Sequence, residues 1–134
     1  MNGFHAGEIA IEIGARLRPV VQAVRRHDAE LADQIYRAAK SLVLNAAEGG
    51  RRGGKDRAYH FRIAAGSAAE IAAGVRFALA WGFCASQPEL FGLIDRELAM
   101  LWKLESASHH PVRPYETDRV KLDATGTIRA GKGL

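Results

Sequence analysis

Cysteine and long hydrophobic runs are scarce in this sequence. Its one cysteine, Cys84, cannot form a disulfide within the chain, a pattern that fits a reducing compartment. It has no run of about 20 apolar residues that could cross a membrane. The first residues lack the basic and apolar regions of a secretory signal. These absences predict a cytoplasmic protein with no membrane partner.

No residue pattern typical of an active site is present either. The five histidines show no metal-ligand spacing, and no Glu-x-x-His motif of di-metal bundles occurs. Residues 49–55 have the glycine and lysine spacing of a phosphate-binding loop, but Asp56 replaces the serine or threonine that holds magnesium. We therefore expect a protein that is not an enzyme and that binds no cofactor and no metal.

Apolar residues recur at three- and four-residue spacing through most of the first 108 residues, as they do on one face of a helix. Leu31, Ile35, Ala39, Leu42 and Ala46 show this spacing most clearly. The pattern predicts four helices. Their expected limits are about residues 7–26, 29–48, 55–81 and 88–105, with residues 1–7 frayed.

Turn and capping residues separate these helices. Asp28 is placed to cap the second helix, and Gly49-Gly50 is expected to end it. Gly82 is expected to adopt a left-handed conformation after the third helix, with Phe83 covering its end. Because these links are short, consecutive helices should be antiparallel neighbours.

These observations predict an all-α fold, an antiparallel up-down four-helix bundle over residues 1–108. Residues 109–134 are rich in proline and glycine and lose the periodicity. We expect them to form a flexible C-terminal tail, mobile unless a partner orders it. Gly66 and Gly74 in the third helix predict close approach of a neighbouring helix.

Basic residues cluster in one window of the chain. Between residues 37 and 62 they are opposed only by Glu48 and Asp56, which leaves a local charge of +5. Such clustering favours an anionic partner, RNA or DNA, and the alternative is a solvated polar face. The candidate nucleic-acid-binding residues are Arg37, Lys40, Arg51, Arg52, Lys55, Arg57 and Arg62.

Four polar residues fall near the expected contact between the second and third helices. We expect Asn45 and Ser67 to bond neighbouring backbone groups, and Glu48 and Glu70 to pair with arginines. A metal-binding pair of carboxylates is the alternative at this point. No nucleophile and base are paired among them.

Several segments in combination resemble one family. They are QIYRAAKS at 34–41, NAAEG at 45–49, IAAGS at 63–67 with Glu70, and WGF at 81–83. Together they resemble the bacterial four-helix-bundle proteins encoded in intervening sequences of 23S ribosomal RNA genes. Tyr36 stands where that family has an arginine, and glycines stand in the turn where it usually has a serine.

The resemblance implies a protein with no established enzymatic activity that forms a ring of five subunits. A related group serves as nucleic-acid-binding accessory proteins of reverse transcriptases in diversity-generating retroelements. The family-motif residues, expected to be structural, are Asn45, Glu48, Gly49, Gly66, Ser67, Glu70 and Gly82. Two hypotheses follow: an oligomeric nucleic-acid-binding module, or an adaptor that binds a protein partner and has no nucleic-acid role.

Overall fold

The structure, a computed structural model, describes residues 3–108, which form four α-helices and no strand. The helices are α1 (Gly3–Arg25), α2 (Ala29–Arg51), α3 (Gly54–Ala80) and α4 (Pro88–Ser108). Contacts join α1 to α2, α2 to α3, α3 to α4 and α4 to α1. This arrangement confirms the all-α, up-down four-helix bundle. The predicted tail, residues 109–134, lies outside the described residues.

Contacts between α2 and α3 show that these helices are antiparallel. Gly49, near the end of α2, lies against Phe61, near the start of α3. Gly74, near the end of α3, lies against Ile35, near the start of α2. A connection of two residues, Arg52 and Gly53, is enough to join them.

One apolar face of each helix forms the core. On α2 the predicted face is buried, with Ala32 and Ala38 added and Leu31 only partly covered. On α4 the buried face includes Leu90, Ile94 and Leu101 together with the fully buried Glu97, whereas Leu98 is half-buried. The largest side chains that are fully buried include Phe61, Ile13, Leu17, Ile35, Leu42, Ile71, Leu90, Ile94 and Leu101.

Two predicted helix ends are confirmed. The Leu31 N–H donates to Asp28 Oδ1 at 2.9 Å, so Asp28 is the N-cap of α2. Gly82 has a φ of +74°, and the Phe83 N–H donates to the Ala78 carbonyl at 2.8 Å. That bond and the left-handed glycine define a Schellman motif at the end of α3.

The first helix begins earlier than predicted. Residues 3–7 are helical, although the sequence suggested a frayed start. Ala6 has no solvent exposure and belongs to the same buried face as Ile9 and Ile13. Burial of this added turn offsets the entropy that a terminal segment loses on ordering.

The second helix ends later than predicted, at Arg51. Gly49 lies inside the helix, and a Cβ atom there would lie 2.6 Å from the Phe61 ring. Glycine at this position permits close approach of α3, and it does not end the helix. The helix continues because backbone hydrogen bonding continues, with the Arg52 N–H donating to the Gly49 carbonyl at 3.3 Å.

The two glycines of α3, Gly66 and Gly74, differ in how closely another helix approaches them. A Cβ atom at Gly74 would lie 2.8 Å from Ile35 Cγ1, which confirms the predicted close approach there. A Cβ atom at Gly66 would meet nothing within 4 Å, and Gly66 is exposed. The prediction of close packing at Gly66 is therefore wrong for contacts within residues 3–108.

Candidate nucleic-acid interface

The seven predicted cations lie on both sides of the junction between α2 and α3. All are exposed except Arg57, which is half-buried. Arg37, Lys40 and Arg51 lie on α2, Arg52 is its C-cap, and Lys55, Arg57 and Arg62 lie on α3. The structure separates them into cations that bind other groups of the protein and cations directed to solvent.

Arg52 is held between two carboxylates. Its guanidinium donates to Glu48 Oε2 at 2.7 Å and to Asp56 Oδ2 at 2.7 Å, so it bridges the end of α2 and the start of α3. The hydrogen bond from Arg52 holds the pKa of Glu48 below its ordinary value. The same two carboxylates raise the pKa of Arg52. This charge is already neutralised within the protein.

Arg57 is directed inward, over the end of α2. Its Nη1 atom donates to the Gly49 carbonyl at 3.2 Å, and its guanidinium lies 5.0 Å from the centre of the Phe61 ring. The last carbonyls of a helix lack partners within the helix, so a cation here caps them and interacts favourably with the helix dipole. Arg57 therefore stabilises the junction.

Arg62 joins α3 to α4. Its Nε atom donates to Glu105 Oε2 at 3.1 Å, and the arginine side chain is about half exposed while the glutamate is largely covered. Arg52, Arg57 and Arg62 thus each bind a group on another part of the bundle. The sequence alone does not distinguish these three arginines from the other cations, because their partners lie at the ends of different helices.

Three of the four remaining cations form an exposed stripe on α2. Arg37, Lys40 and Arg51 fall within about 60° of arc on α2 and span about 21 Å of helix length. Arg51 is 78% exposed and has only a 3.6 Å ion pair with Glu48. Arg37 and Lys55 have no ion pair within the described residues. We name Arg37, Lys40, Arg51 and Lys55 the exposed cation set.

Lys40 is ordered by an aromatic neighbour. Its Nζ atom lies 5.4 Å from the centre of the Tyr36 ring, a cation–π contact one helical turn apart. Tyr36 itself is 53% exposed. The contact does not neutralise the charge of Lys40, because the Tyr36 ring carries no formal charge, so the ammonium can still bind an anion.

A polar network crosses the contact between α2 and α3 behind this stripe. Ser67 Oγ donates to Ser41 Oγ at 2.8 Å, and Asn45 Nδ2 donates to the Ser41 carbonyl at 3.0 Å. His60 Nδ1 lies 2.9 Å from Asn45 Oδ1. Since an amide oxygen only accepts, Nδ1 carries the proton here. His60 contacts Asn45 and not a serine, so the network orients the helices and does not form a nucleophile and base.

The other motif residues occupy separate places. Glu70 is exposed and has no arginine partner within residues 3–108, so that predicted pairing is wrong. Glu48 and Gly49 belong to the junction, where they contact Arg52 and Arg57. No group of three or more histidine, cysteine or acidic side chains that could hold a metal occurs in the described part of the chain.

Glu97 is the one chemically unusual residue that sequence reasoning missed. It has no solvent exposure, and neither carboxylate oxygen has a hydrogen-bond partner among residues 3–108. Burial raises its pKa to about 8. Its spacing of three residues from Ile94 and four from Leu101 places it on the apolar face, and this spacing was the available signal.

One comparison with known proteins decides the family. The family model described as 23S rRNA-intervening sequence protein matches residues 8–103. The chain belongs to the 23S rRNA-intervening sequence protein family. In this family member the matched region includes every candidate cation, the polar network and Glu97. Comparisons with curated proteins and with solved structures find no match.

Two further features of this family member concern its environment. Among the described helices, α3 is long and apolar enough to cross a membrane by length and composition alone, a test that core helices of soluble proteins also pass. Its apolar face contacts α2 and α4.

Cys84 is half-buried, and burial raises the pKa of its thiol. A raised pKa disfavours the thiolate, which is the reactive form.

Proposed function

We propose that this protein is a non-enzymatic, oligomeric four-helix bundle that binds the backbone of RNA or DNA through the exposed cation set. The observation that carries the proposal is the stripe on α2, where Arg37, Lys40 and Arg51 face solvent along about 21 Å of helix. Lysine and arginine contacts to phosphate supply affinity without reading base sequence. The proposed interface is therefore expected to bind RNA or DNA without discriminating between base sequences.

The other three predicted cations have a supporting role in this proposal. Arg52, Arg57 and Arg62 bind carboxylates or carbonyls of the bundle. Part of each guanidinium is already engaged by these groups, so we expect these arginines to contribute less to phosphate binding than the exposed cation set. They hold α2, α3 and α4 in the arrangement that presents the exposed cation set.

The proposed oligomer is a homopentamer, the state that the family resemblance implies. Large apolar side chains on the surface support an oligomer: Phe77 is 47% exposed, Trp81 64% and Trp102 70%. A closed ring would repeat the cation stripe in every subunit, and several weak phosphate sites would then act together. A cytoplasmic location is part of the same proposal.

The test is a fluorescence anisotropy titration of structured RNA and of duplex DNA. Lys40→Ala/Arg51→Ala removes one lysine and one arginine from the stripe. The matched control, Arg96→Ala/Lys103→Ala, removes the same two residue types from exposed positions on α4. We expect the first variant to bind about tenfold or more weakly and the control to bind almost as wild type.

Light scattering confirms beforehand that both variants assemble as wild type does. Equal binding by the two variants would contradict the proposed surface. Failure of wild type to bind either nucleic acid would contradict the function itself.

A further inference from the structure

A long groove runs along the surface between α1 and α2. Its larger part, about 600 Å³, lies between Gly14 and Arg25 on α1 and is closed on the other side by α2. A second part of about 340 Å³ continues toward Gly7. Val43 lines both parts, so they are adjacent along α2. The α1 side from Gly7 to Arg25 corresponds to about 27 Å, or five helical turns.

The floor of the groove is apolar. Leu17, Val21, Ala39 and Val43 line its larger part, and Gly14 adds no side chain there. In the smaller part Ile11 is 58% exposed. Leu17 and Ala39 are buried by the bundle itself, whereas Val21 and Val43 are partly exposed, so the floor is open to solvent at the two valines and at Ile11. An apolar groove between two helices is the kind of surface on which a third helix docks, with side chains at i, i+3, i+4 and i+7 as anchors.

The rim of the groove is positive. Arg18, Arg25 and Lys40 line the larger part and Arg51 the smaller, whereas Glu8 is the single carboxylate among the lining residues described. Arg25 already binds Asp33 at 2.8 Å. Arg51 has a 3.6 Å ion pair with Glu48 but is 78% exposed. Arg18, Lys40 and the exposed part of Arg51 can pair with anionic groups of a ligand that lies along the groove.

We propose that this groove binds an acidic amphipathic helix of a partner protein, with its apolar stripe on the floor and its glutamates or aspartates against the rim. This goes beyond the proposed nucleic-acid function and does not rest on it. A phosphate backbone would satisfy the rim and leave the apolar floor uncovered, whereas an acidic amphipathic helix complements both.

The protein's own remaining residues do not match the groove by charge. Residues 109–134 contain five lysines and arginines against three acidic residues. That segment carries an excess of the same charge as the rim, so electrostatic complementarity favours a separate, acidic partner.

The probe for the test is a designed 18-residue peptide with leucines at helical spacing, flanked by glutamates and labelled with fluorescein. It is titrated with the full chain, and anisotropy is measured. One comparison peptide keeps the leucines and replaces every glutamate with lysine. Another has the same composition in a scrambled, non-amphipathic order. We expect the acidic amphipathic peptide to bind about tenfold or more tightly than either comparison.

Gly14→Leu fills the groove without removing a charge. A Cβ atom at Gly14 would meet only Val43, at 3.9 Å, so the first atom of the new side chain enters the groove without a clash. Gly92→Leu on α4 is the matched control, because a Cβ atom there meets nothing within 4 Å. We expect Gly14→Leu to weaken peptide binding about tenfold, and Gly92→Leu to leave it unchanged. Arg18→Glu/Lys40→Glu tests the rim independently and should give a similar loss.

Three results would overturn the proposal. The first is that the acidic peptide does not bind to wild type. The second is that the peptide binds to Gly14→Leu and to Arg18→Glu/Lys40→Glu as tightly as it binds to wild type. The third is a change of molecular mass in Gly14→Leu by light scattering, which would make the groove an interface between copies of this chain. Nucleic-acid binding is measured on the same variants, and Gly14→Leu, which keeps every cation, should retain it. Failure of this inference and failure of the proposed function are therefore distinguishable.

Discussion

At the scale of single residues, Glu97 is the clearest conflict between chemistry and position. A carboxyl group without solvent or a hydrogen-bond partner is stable only when it is neutral, which is why its pKa rises to about 8. The unfolded chain releases that proton near the ordinary value of 4.5. The folded state therefore holds one more proton than the unfolded state between these values.

This difference predicts that Glu97 makes the protein less stable as pH rises. Its contribution is fully present below about pH 4.5 and is lost progressively up to about pH 8, by at most about 1.4 kcal/mol per pH unit. Urea unfolding of wild type and Glu97→Gln across this range measures the effect. Glu97→Gln keeps the shape and does not titrate at this position, so the unfolding free energy of wild type should fall more steeply with rising pH than that of the variant. Parallel pH profiles of the two proteins would contradict the account.

Removing the polar group altogether should stabilise the bundle. Glu97→Met has a similar volume and needs no hydrogen bond, so we expect its free energy of unfolding at pH 8 to exceed that of wild type by about 2 kcal/mol or more. Thermal and urea unfolding at that pH measure it. A less stable variant would show that the carboxyl group has a partner.

Substitution by alanine at two helical glycines, Gly49 and Gly66, should change the free energy of unfolding in opposite directions. Gly49→Ala places a Cβ atom 2.6 Å from the buried, rigid Phe61 ring, so we expect a loss of about 1–3 kcal/mol in unfolding free energy. Gly66→Ala meets nothing within 4 Å and should gain up to about 1 kcal/mol from helix propensity. Urea unfolding distinguishes the two signs, and a loss of similar size in both variants would contradict the packing described.

At the scale of helices, the helix ends show which features can be predicted from the sequence and which cannot. Asp28 and Gly82 have local roles that need only neighbouring backbone, and both were predictable. Gly49 was misread because its role depends on Phe61, twelve positions away, and a helix-ending glycine and a close-contact glycine look the same in sequence. Glu97 was missed because its burial depends on the rotation of α4 against α1 and α3.

The end of α3 carries its own prediction. Gly82→Ala forces a residue with a side chain to keep a φ of +74°, which should cost about 1–2 kcal/mol of unfolding free energy. Gly92→Ala, inside α4 with open space around it, is the control and should be neutral or stabilising. Equal stability of Gly82→Ala and wild type in urea would show that this turn readily adopts another conformation.

At the scale of the whole molecule, periodicity and short links were sufficient to predict the bundle. They could not predict which cations remain exposed. Arg52, Arg57 and Lys55 lie within six positions of each other, yet one binds two carboxylates, one caps a helix and one has no ion pair in the described part of the chain. These differences arise from the geometry of the junction, so the sequence predicts a cluster of cations but does not divide them into exposed and internally bound residues.

The most direct measurement of the central claim is the salt dependence of duplex DNA binding between about 50 and 200 mM salt. Each phosphate contact contributes about 0.9 to the slope of log K against log salt concentration. We predict that Lys40→Ala/Arg51→Ala lowers the magnitude of this slope by about 2 relative to wild type, while Arg96→Ala/Lys103→Ala leaves it unchanged. Identical slopes for all three proteins would show that the stripe on α2 does not contact nucleic acid.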